Sequence, residues 1–197
     1  MKLITIILYF VTTSVMALAQ TSGGEIVRKP NNGQKRVEKV PELLPYNQNN
    51  RIVRTIDGIT LCLSTKNDVI KYLKNRGRKY TIAEHEDNLT IVISNGDIVY
   101  NGFKWAAIAY NLYNNVVYQI SYLGGDDKTN NLVSFQKMRD YYMNLYGNYH
   151  ESFPDGERFS DKFTYLIILG EPYYNFSLHF ADAKLYEYMV KNVYKNK

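Results

Sequence analysis

The sequence predicts an α+β fold in which two helices lie on one face of a single antiparallel sheet. From residue 51 onward, one helical stretch is followed by several strand-like runs, and this order occurs twice. Short polar turns at 86–88, 95–97 and 114–115 separate the runs of the first half, as antiparallel hairpins require. The chain also contains 19 tyrosines, a residue that favours strands and half-buried surfaces.

Residues 1–19 have the pattern of a signal peptide. Lys2 supplies the positive charge, an apolar stretch follows, and Ala17-Leu18-Ala19 provides small residues for cleavage before Gln20. The apolar stretch is too short to span a bilayer as a stable helix. We therefore expect an exported protein that is periplasmic or extracellular.

Residues 20–50 read as a flexible polar tail. They combine Gly, Pro and charged residues with few apolar side chains, so little burial offsets the entropy of ordering them. Leu43, Leu44 and Tyr46 are the residues with which this tail could dock onto the domain.

The first unit, 51–123, begins with a helix predicted at about 65–76. Ser64 or Thr65 can cap it, Asp68 completes a capping box with Thr65, and Gly77 suits a left-handed C-terminal residue. The apolar stripe of this helix is Val69, Ile70 and Leu73. Strands are predicted at 79–84, 89–94, 103–113 and 116–123.

The second unit, 124–197, begins with a loop and a helix at about 131–146, whose apolar stripe is Phe135, Met138, Tyr142 and Leu145. The stretch 153–156 is a turn by composition, and strands are predicted at 163–169, 174–181 and 184–193. A helix over 184–195 is the alternative for the last element, because its apolar residues also recur every four positions.

Neither unit buries enough apolar area alone, so we expect 51–197 to form one domain. Ala106, Ala107 and Ala109 are small residues at which a helix could approach a strand closely. Replacing Leu73 by Asp should then unfold the whole domain.

Composition indicates a mixed surface. The formal net charge is +5, but 18 basic and 16 acidic residues from 51 onward leave the domain at only +2. Such a balance argues against nucleic acid as a partner. Cys62 is the only cysteine, which excludes an internal disulfide, and its apolar neighbours indicate a buried side chain. Whether its thiol is reactive stays open.

Three groups of polar residues are candidate sites, but each has a simpler structural explanation. The basic run Lys71, Lys74, Arg76, Arg78 and Lys79 suits a helix C-terminus. The sequence 84–87, which contains His85, reads as a polar turn and not a metal cluster. Asp155, Glu157 and Asp161 fall in a turn-rich region, where acid/base catalysis is not expected. We predict no cofactor, no metal and no catalysis.

The aromatic residues are the strongest functional signal. The five residues on the two strands 103–113 and 116–123 either form a platform on an open sheet face or fill the core: Trp105, Tyr110, Tyr113, Tyr118 and Tyr122.

The layout resembles the tandem helix-plus-antiparallel-strands repeat of the beta-lactamase inhibitor protein and the small outer-membrane assembly lipoproteins, and a class of exported Bacteroidetes proteins. The resemblance rests on the sequences 58–61 and 64–69, on the helix ending at Arg76-Gly77, and on 145–147. The inhibitor family staples its repeats with disulfides, which one cysteine cannot do. The resemblance implies the fold and a bias toward protein binding.

Two functions follow as expectations. The first is an exported, non-catalytic module that binds a protein at the cell envelope. The alternative is a glycan-binding domain that uses exposed tyrosines.

Overall fold

The structure, a computed structural model, describes residues 52–85, 88–94, 98–125, 131–147, 150–154, 156–170 and 177–194. The predicted signal peptide and polar tail lie outside these residues. Three helices are present in this part: α1 (Lys66–Asn75), α2 (Asn131–Tyr146) and α3 (Ala183–Met189), the last continued by a π-helical turn at Val190–Tyr194. Within the same residues, no helix is long and apolar enough to cross a membrane.

The first helix is fixed by the caps that the sequence predicts. The Thr65 side chain accepts a hydrogen bond from the Asp68 amide, and the Asp68 carboxylate accepts one from the Thr65 amide at 2.8 Å. Gly77 has φ +62°, a conformation that L side chains rarely adopt. The predicted ranges of α1 and α2 are confirmed to within a residue or two at each end.

The strands alternate with short turns. In chain order they are β1 (Thr55–Ile56), β2 (Ile59–Thr60), β3 (Thr81–His85), β4 (Asn88–Ile93), β5 (Ile98–Tyr100), β6 (Phe103–Tyr113), β7 (Val116–Gly125), β8 (His150–Phe153), β9 (Gly156–Ser160), β10 (Thr164–Leu169) and β11 (Ser177–Asp182). Asn114 and Asn115 join β6 to β7 with φ +48° and +66°, which confirms the predicted two-residue hairpin.

In the described part of the chain, β1 and β2 pair with each other and the other nine strands form one antiparallel sheet. Its order is β3-β4-β6-β7-β11-β10-β9-β8, with β5 paired to β6. Strands β7 and β11 meet at the centre, where Ile120 pairs with Phe180. The α+β fold with an antiparallel sheet is as predicted, and the sheet runs unbroken through strands of both halves.

The prediction of a strand at 184–193 is wrong, since this segment is helical. Asp182 ends β11 and its carboxylate accepts a hydrogen bond from the Leu185 amide at 2.9 Å, which caps α3. Leu185 and Met189 are four residues apart and are both buried. The strand propensity of the tyrosines in this segment is outweighed by the Asp182 cap and by the packing of Leu185 and Met189.

The helix face of the sheet holds the main core. We use this name for the face onto which Ile108, Tyr110 and Leu112 of β6 project. Both α1 and α2 contribute to the same cluster, through Val69 and Leu73 and through Met138 and Tyr142 respectively; strands β4 to β11 supply most of the rest. The prediction that Leu145 belongs to the buried stripe of α2 is wrong, since its side chain is 53% exposed.

The opposite surface, which we call the second face, carries the alternate residues of the same strands. Ala107 and Ala109 lie here in a small buried cluster with Val92 and Leu123. The expectation that the alanines lie beneath a helix of the core is therefore wrong, and Ala106 is exposed. Tyr186 of α3 packs against a separate cluster on this face that includes Tyr165, Ile167 and Leu169.

Candidate functional site

The five aromatic residues singled out in the sequence are core residues. Their exposures lie between 1% and 6% for Trp105, Tyr110, Tyr113, Tyr118 and Tyr122. Tyr110 and Tyr122 belong to the helix-face core, and Tyr113 and Tyr118 pack with Cys62, Leu185 and Met189. A binding platform made of these rings is excluded by their burial.

The second face carries a row of hydrogen-bonded polar side chains. Thr90 donates to Asn111 at 2.9 Å, and the Asn111 amide lies 3.4 Å from the Gln119 carbonyl oxygen. The Gln119 amide nitrogen lies 3.2 Å from Nδ1 of His179. The row therefore crosses β4, β6, β7 and β11.

His179 is the end of this row and is held between two serines. Its Nδ1 lies 2.8 Å from Oγ of Ser121 and its Nε2 lies 2.8 Å from Oγ of Ser177. Burial lowers the pKa of His179 to about 4, so the ring is neutral at pH 7. The exposures of Ser121 and Ser177 are 0% and 6%. Such hydroxyls are poorly placed to attack a substrate, and the group joins β7 to β11.

The exposed apolar residues of the helix side form a second candidate. Tyr141 and Leu145 lie one turn apart on α2 and are 44% and 53% exposed. Tyr146 is half-buried, and a backbone hydrogen bond links it to Val53, which is itself 37% exposed. The Tyr141 ring packs edge-on against Tyr142, with 5.0 Å between the ring centroids.

The hairpin β1–β2 brings a carboxylate beside Tyr122 and Tyr100. Asp57 and Gly58 form its turn with φ +52° and +81°, and the flanking Ile56 and Ile59 are buried. The hydroxyl of Tyr122 donates to Asp57 Oδ2 at 3.5 Å. Asp57 itself is exposed. The turn is therefore anchored by apolar residues and presents its carboxylate to solvent.

Tyr100 connects the hairpin to α2. Its ring stacks on Tyr122 with centroids 4.5 Å apart, and burial, the charge of Asp57 and the nearby Tyr146 and Tyr141 raise its pKa to about 12. The neighbouring Asn101 is exposed and its amide donates to the Tyr142 hydroxyl at 2.8 Å. We call the partly exposed residues of this region the tyrosine surface: Val53, Asp57, Tyr72, Tyr100, Asn101, Tyr141, Leu145 and Tyr146.

Two of the three carboxylates considered for catalysis, Glu157 and Asp161, are described by the structure, and each has its own hydrogen-bond partners. Glu157 accepts hydrogen bonds from Arg139 at 2.7 Å and from Ser152 at 2.6 Å, and it pairs with His150. Asp161 instead accepts from the backbone amides of Ile52 at 2.9 Å and Thr164 at 2.8 Å. Asp155 lies outside the described residues.

The Glu157 cluster contains serine, histidine and carboxylate, but its geometry differs from a catalytic triad. Nε2 of His150 faces both Ser152 and Glu157, whereas a triad needs the two ring nitrogens to bridge nucleophile and carboxylate. Burial raises the pKa of Glu157, but hydrogen bonds from Ser152, Arg139 and His150 outweigh it, so the pKa is lowered overall. A general acid requires the opposite shift.

The remaining sequence candidates are surface groups or lie outside the described residues. In the basic run, Lys71, Lys74, Arg76 and Lys79 are exposed, and the Arg76 guanidinium lies 5.1 Å from the centre of the Tyr72 ring. Glu84 forms an exposed ion pair with Lys66, while residues 86 and 87 are not described. No group of three or more metal-binding side chains occurs among the described residues.

Cys62 is buried, as predicted. Burial and the nearby Asp182 raise the pKa of its thiol to about 12, so the reactive thiolate is disfavoured at neutral pH.

Comparison with known proteins found no family, no curated protein and no solved structure that matches this chain.

Sequence reasoning missed the tyrosine surface because the surface joins residues that are far apart in the chain. One signal was available: residues 141–146 contain more apolar side chains than one helical stripe can bury. Tyr141 lies outside the stripe of Met138 and Tyr142, and a ring at that position has to be exposed or covered by a partner.

Proposed function

We propose that the protein is an exported, non-catalytic binding module that recognises a protein partner at the cell envelope through the tyrosine surface. The observation that carries this proposal is the exposure of Tyr141 and Leu145, at 44% and 53%, on a helix whose other side is buried. Tyrosine gives a large contact area at small entropic cost and is enriched in protein interfaces.

The surroundings of these two residues suit an interface. Tyr146 and Val53 extend the apolar area, and the exposed side chains of Asp140, Asn144 and Asn101 provide a polar rim. Protein interfaces combine an apolar centre with such a rim. The buried Tyr142 packs edge-on against the Tyr141 ring, and this contact restricts the ring before a partner binds.

A glycan is the second candidate ligand, and Asn101 favours it. Its amide lies at the turn beside Tyr100, so a hydrogen-bonding group and an aromatic ring are adjacent, as sugar recognition requires. A protein partner would need the wider area around Tyr141 and Leu145, whereas a sugar would need only this corner.

Site-specific photo-crosslinking in the native envelope tests the proposal. A photoreactive phenylalanine analogue at Tyr141 or Leu145 is expected to give a discrete cross-linked protein. The matched control is the same analogue at Leu63, an apolar residue that is 56% exposed and precedes α1. Equal, diffuse cross-linking at all three positions would contradict the proposal, and saturable binding of a neutral oligosaccharide that protects Tyr100 would favour the glycan.

A further inference from the structure

We infer that the outer edge of β3 binds an extended, acidic segment of a protein partner by strand addition. The site consists of the β3 backbone, Thr81–His85, and two exposed lysines beside it, Lys74 and Lys79, and we call it the basic edge. It is a second interaction surface, additional to the tyrosine surface. Two independent observations carry it: an edge strand, and an excess of positive charge along that strand.

Strand β3 ends the sheet on one side. It pairs with β4 in a continuous antiparallel register over all five of its residues, and in the described part of the chain no strand lies on its other side. It contains no proline, and Ile82 and Ala83 in its middle are half-buried. A regular edge strand offers its outward backbone N–H and C=O groups to an added strand, and some peptide-binding proteins use this mode.

Helix α1 lies along β3 and runs in the opposite direction. At its start, Lys66 Nζ lies 2.9 Å from Oε1 of Glu84, near the end of β3. After its last turn, the Arg78 amide donates to the Leu73 carbonyl oxygen at 2.9 Å, just before β3 begins. Helix positions four residues apart lie on the same side, so the side from which Lys66 reaches β3 also carries Lys74.

The two lysines of the basic edge lack a counter-ion among the described residues. Both side chains are exposed, and no described carboxylate oxygen lies within 4.0 Å of either ammonium nitrogen. The helix dipole accounts for Lys74, the basic residue in the last turn of α1, but not for Lys79, which lies beyond the helix. The exposed Lys71 and Arg76 add further positive charge.

This charge favours an acidic occupant. Residues 66–85 contain six lysines and arginines but only two carboxylates, so an added strand with carboxylate side chains gains attraction along its length. A second copy of the chain would bring the same positive excess to the edge and be repelled. The opposite edge of the sheet lacks this feature, because Glu151 of β8 pairs with Arg158 of β9.

NMR titration of the full-length protein with a seven-residue peptide of alternating valine and glutamate tests the inference. We expect saturable shifts of the backbone amide signals of residues 79–85, and slower hydrogen exchange of the β3 amides in the bound state, because an added strand covers the edge. The same peptide with lysine in place of glutamate is the ligand control and should not bind.

Charge reversal separates the contribution of the lysines. The double variant Lys74→Glu/Lys79→Glu should bind the acidic peptide at least tenfold more weakly than the wild type. Both side chains are exposed, so the dispersion of the amide spectrum should be retained. Lys137→Glu, at an exposed lysine of α2, is the matched control and should bind as the wild type does.

Three results would overturn the basic edge. Binding without protection of the β3 amides, or equal competition by a DNA duplex, would indicate a general anion-binding surface. Protection of these amides that increases with protein concentration, without peptide, would assign the edge to a second copy. Unchanged affinity in the double variant would exclude the lysines. The cross-link at Tyr141 reports separately on the tyrosine surface, so either proposal can fail while the other stands.

Discussion

Arg54 and Asp182 form an ion pair whose side chains are 2% and 1% exposed, with 2.8 Å between nitrogen and oxygen. Arg54 also donates to the carbonyl oxygen of Phe163 at 2.7 Å and to Thr164 Oγ1 at 3.0 Å. Asp182 in addition caps α3. One buried arginine thus ties the start of the described chain to the β9–β10 turn and to the last helix.

We expect Arg54→Met to lower the free energy of unfolding by about 3–5 kcal/mol, because it leaves the Asp182 carboxylate buried without its partner. Lys66→Met is the matched control, since it removes the exposed pair with Glu84 and should cost less than about 1 kcal/mol. Urea denaturation measures both values. Similar losses in the two variants would contradict the structural role of Arg54.

His179 should make stability depend on pH. Its pKa is about 4 in the folded protein, whereas an unfolded histidine titrates near 6.5, so between these values the unfolded chain binds more protons. Stability is therefore complete above about pH 6.5 and decreases by up to about 3 kcal/mol as the pH falls toward 4.

Thermal melts between pH 7 and pH 4 measure this dependence. The melting temperature of His179→Gln should fall less steeply with decreasing pH than that of the wild type, whatever its value at pH 7. His150→Gln serves as the control for loss of a histidine elsewhere in the sheet. An unchanged slope in His179→Gln would show that another group causes the acid sensitivity.

At the scale of elements, the helices illustrate what local sequence determines. The capping box of Thr65 and Asp68 defines α1 without help from distant residues, so α1 could be predicted. The start of α3 depends on Asp182, whose carboxylate is fixed by Arg54 128 residues earlier. That contact cannot be inferred from the local sequence. The strand propensity of the tyrosines in 184–193 therefore favoured a strand.

Strands β8 and β9 and the hairpin β1–β2 were not predicted, because their sequences lack a clear alternation of apolar residues. Strand β8 contains His150, Glu151 and Ser152 and lies at an edge of the sheet. Its residues His150 and Ser152 form hydrogen bonds with Glu157 of β9, which also accepts one from Arg139. Polar contacts between strands leave no periodic pattern in the sequence.

Gly156 tests the packing of β9 against β10. A Cβ atom at this position would lie 2.1 Å from the backbone carbonyl oxygen of Ile168, which cannot move without disturbing the strand pair. We expect Gly156→Ala to cost about 1–3 kcal/mol in the free energy of unfolding.

The matched control is Gly147→Ala, after α2, where a Cβ atom would meet nothing within 4 Å. It should be neutral or slightly stabilising. Chemical denaturation distinguishes the two, and a neutral Gly156→Ala would show that β9 and β10 are less closely paired than described.

At the scale of the whole molecule, the tyrosine surface combines residues of both halves. Asp57 and Tyr100 come from the first half and Tyr141 and Leu145 from the second, while Val69, Leu73, Met138 and Tyr142 share one core cluster. The tyrosine surface therefore depends on both halves being packed around this shared core. The small size of each half predicts a single domain, but the sequence could not place the exposed rings, because their neighbours are set by the sheet order.

The most direct test of this account is the two-dimensional amide NMR spectrum of Leu73→Asp. Leu73 is fully buried, so an unpaired charge there should unfold the whole domain and collapse the dispersion of amide signals in both halves. Leu63→Asp, at an exposed leucine of the same region, should keep the native spectrum. A Leu73→Asp spectrum in which residues 131–194 remain dispersed while 52–125 collapse would contradict the account, because the halves would then be independent.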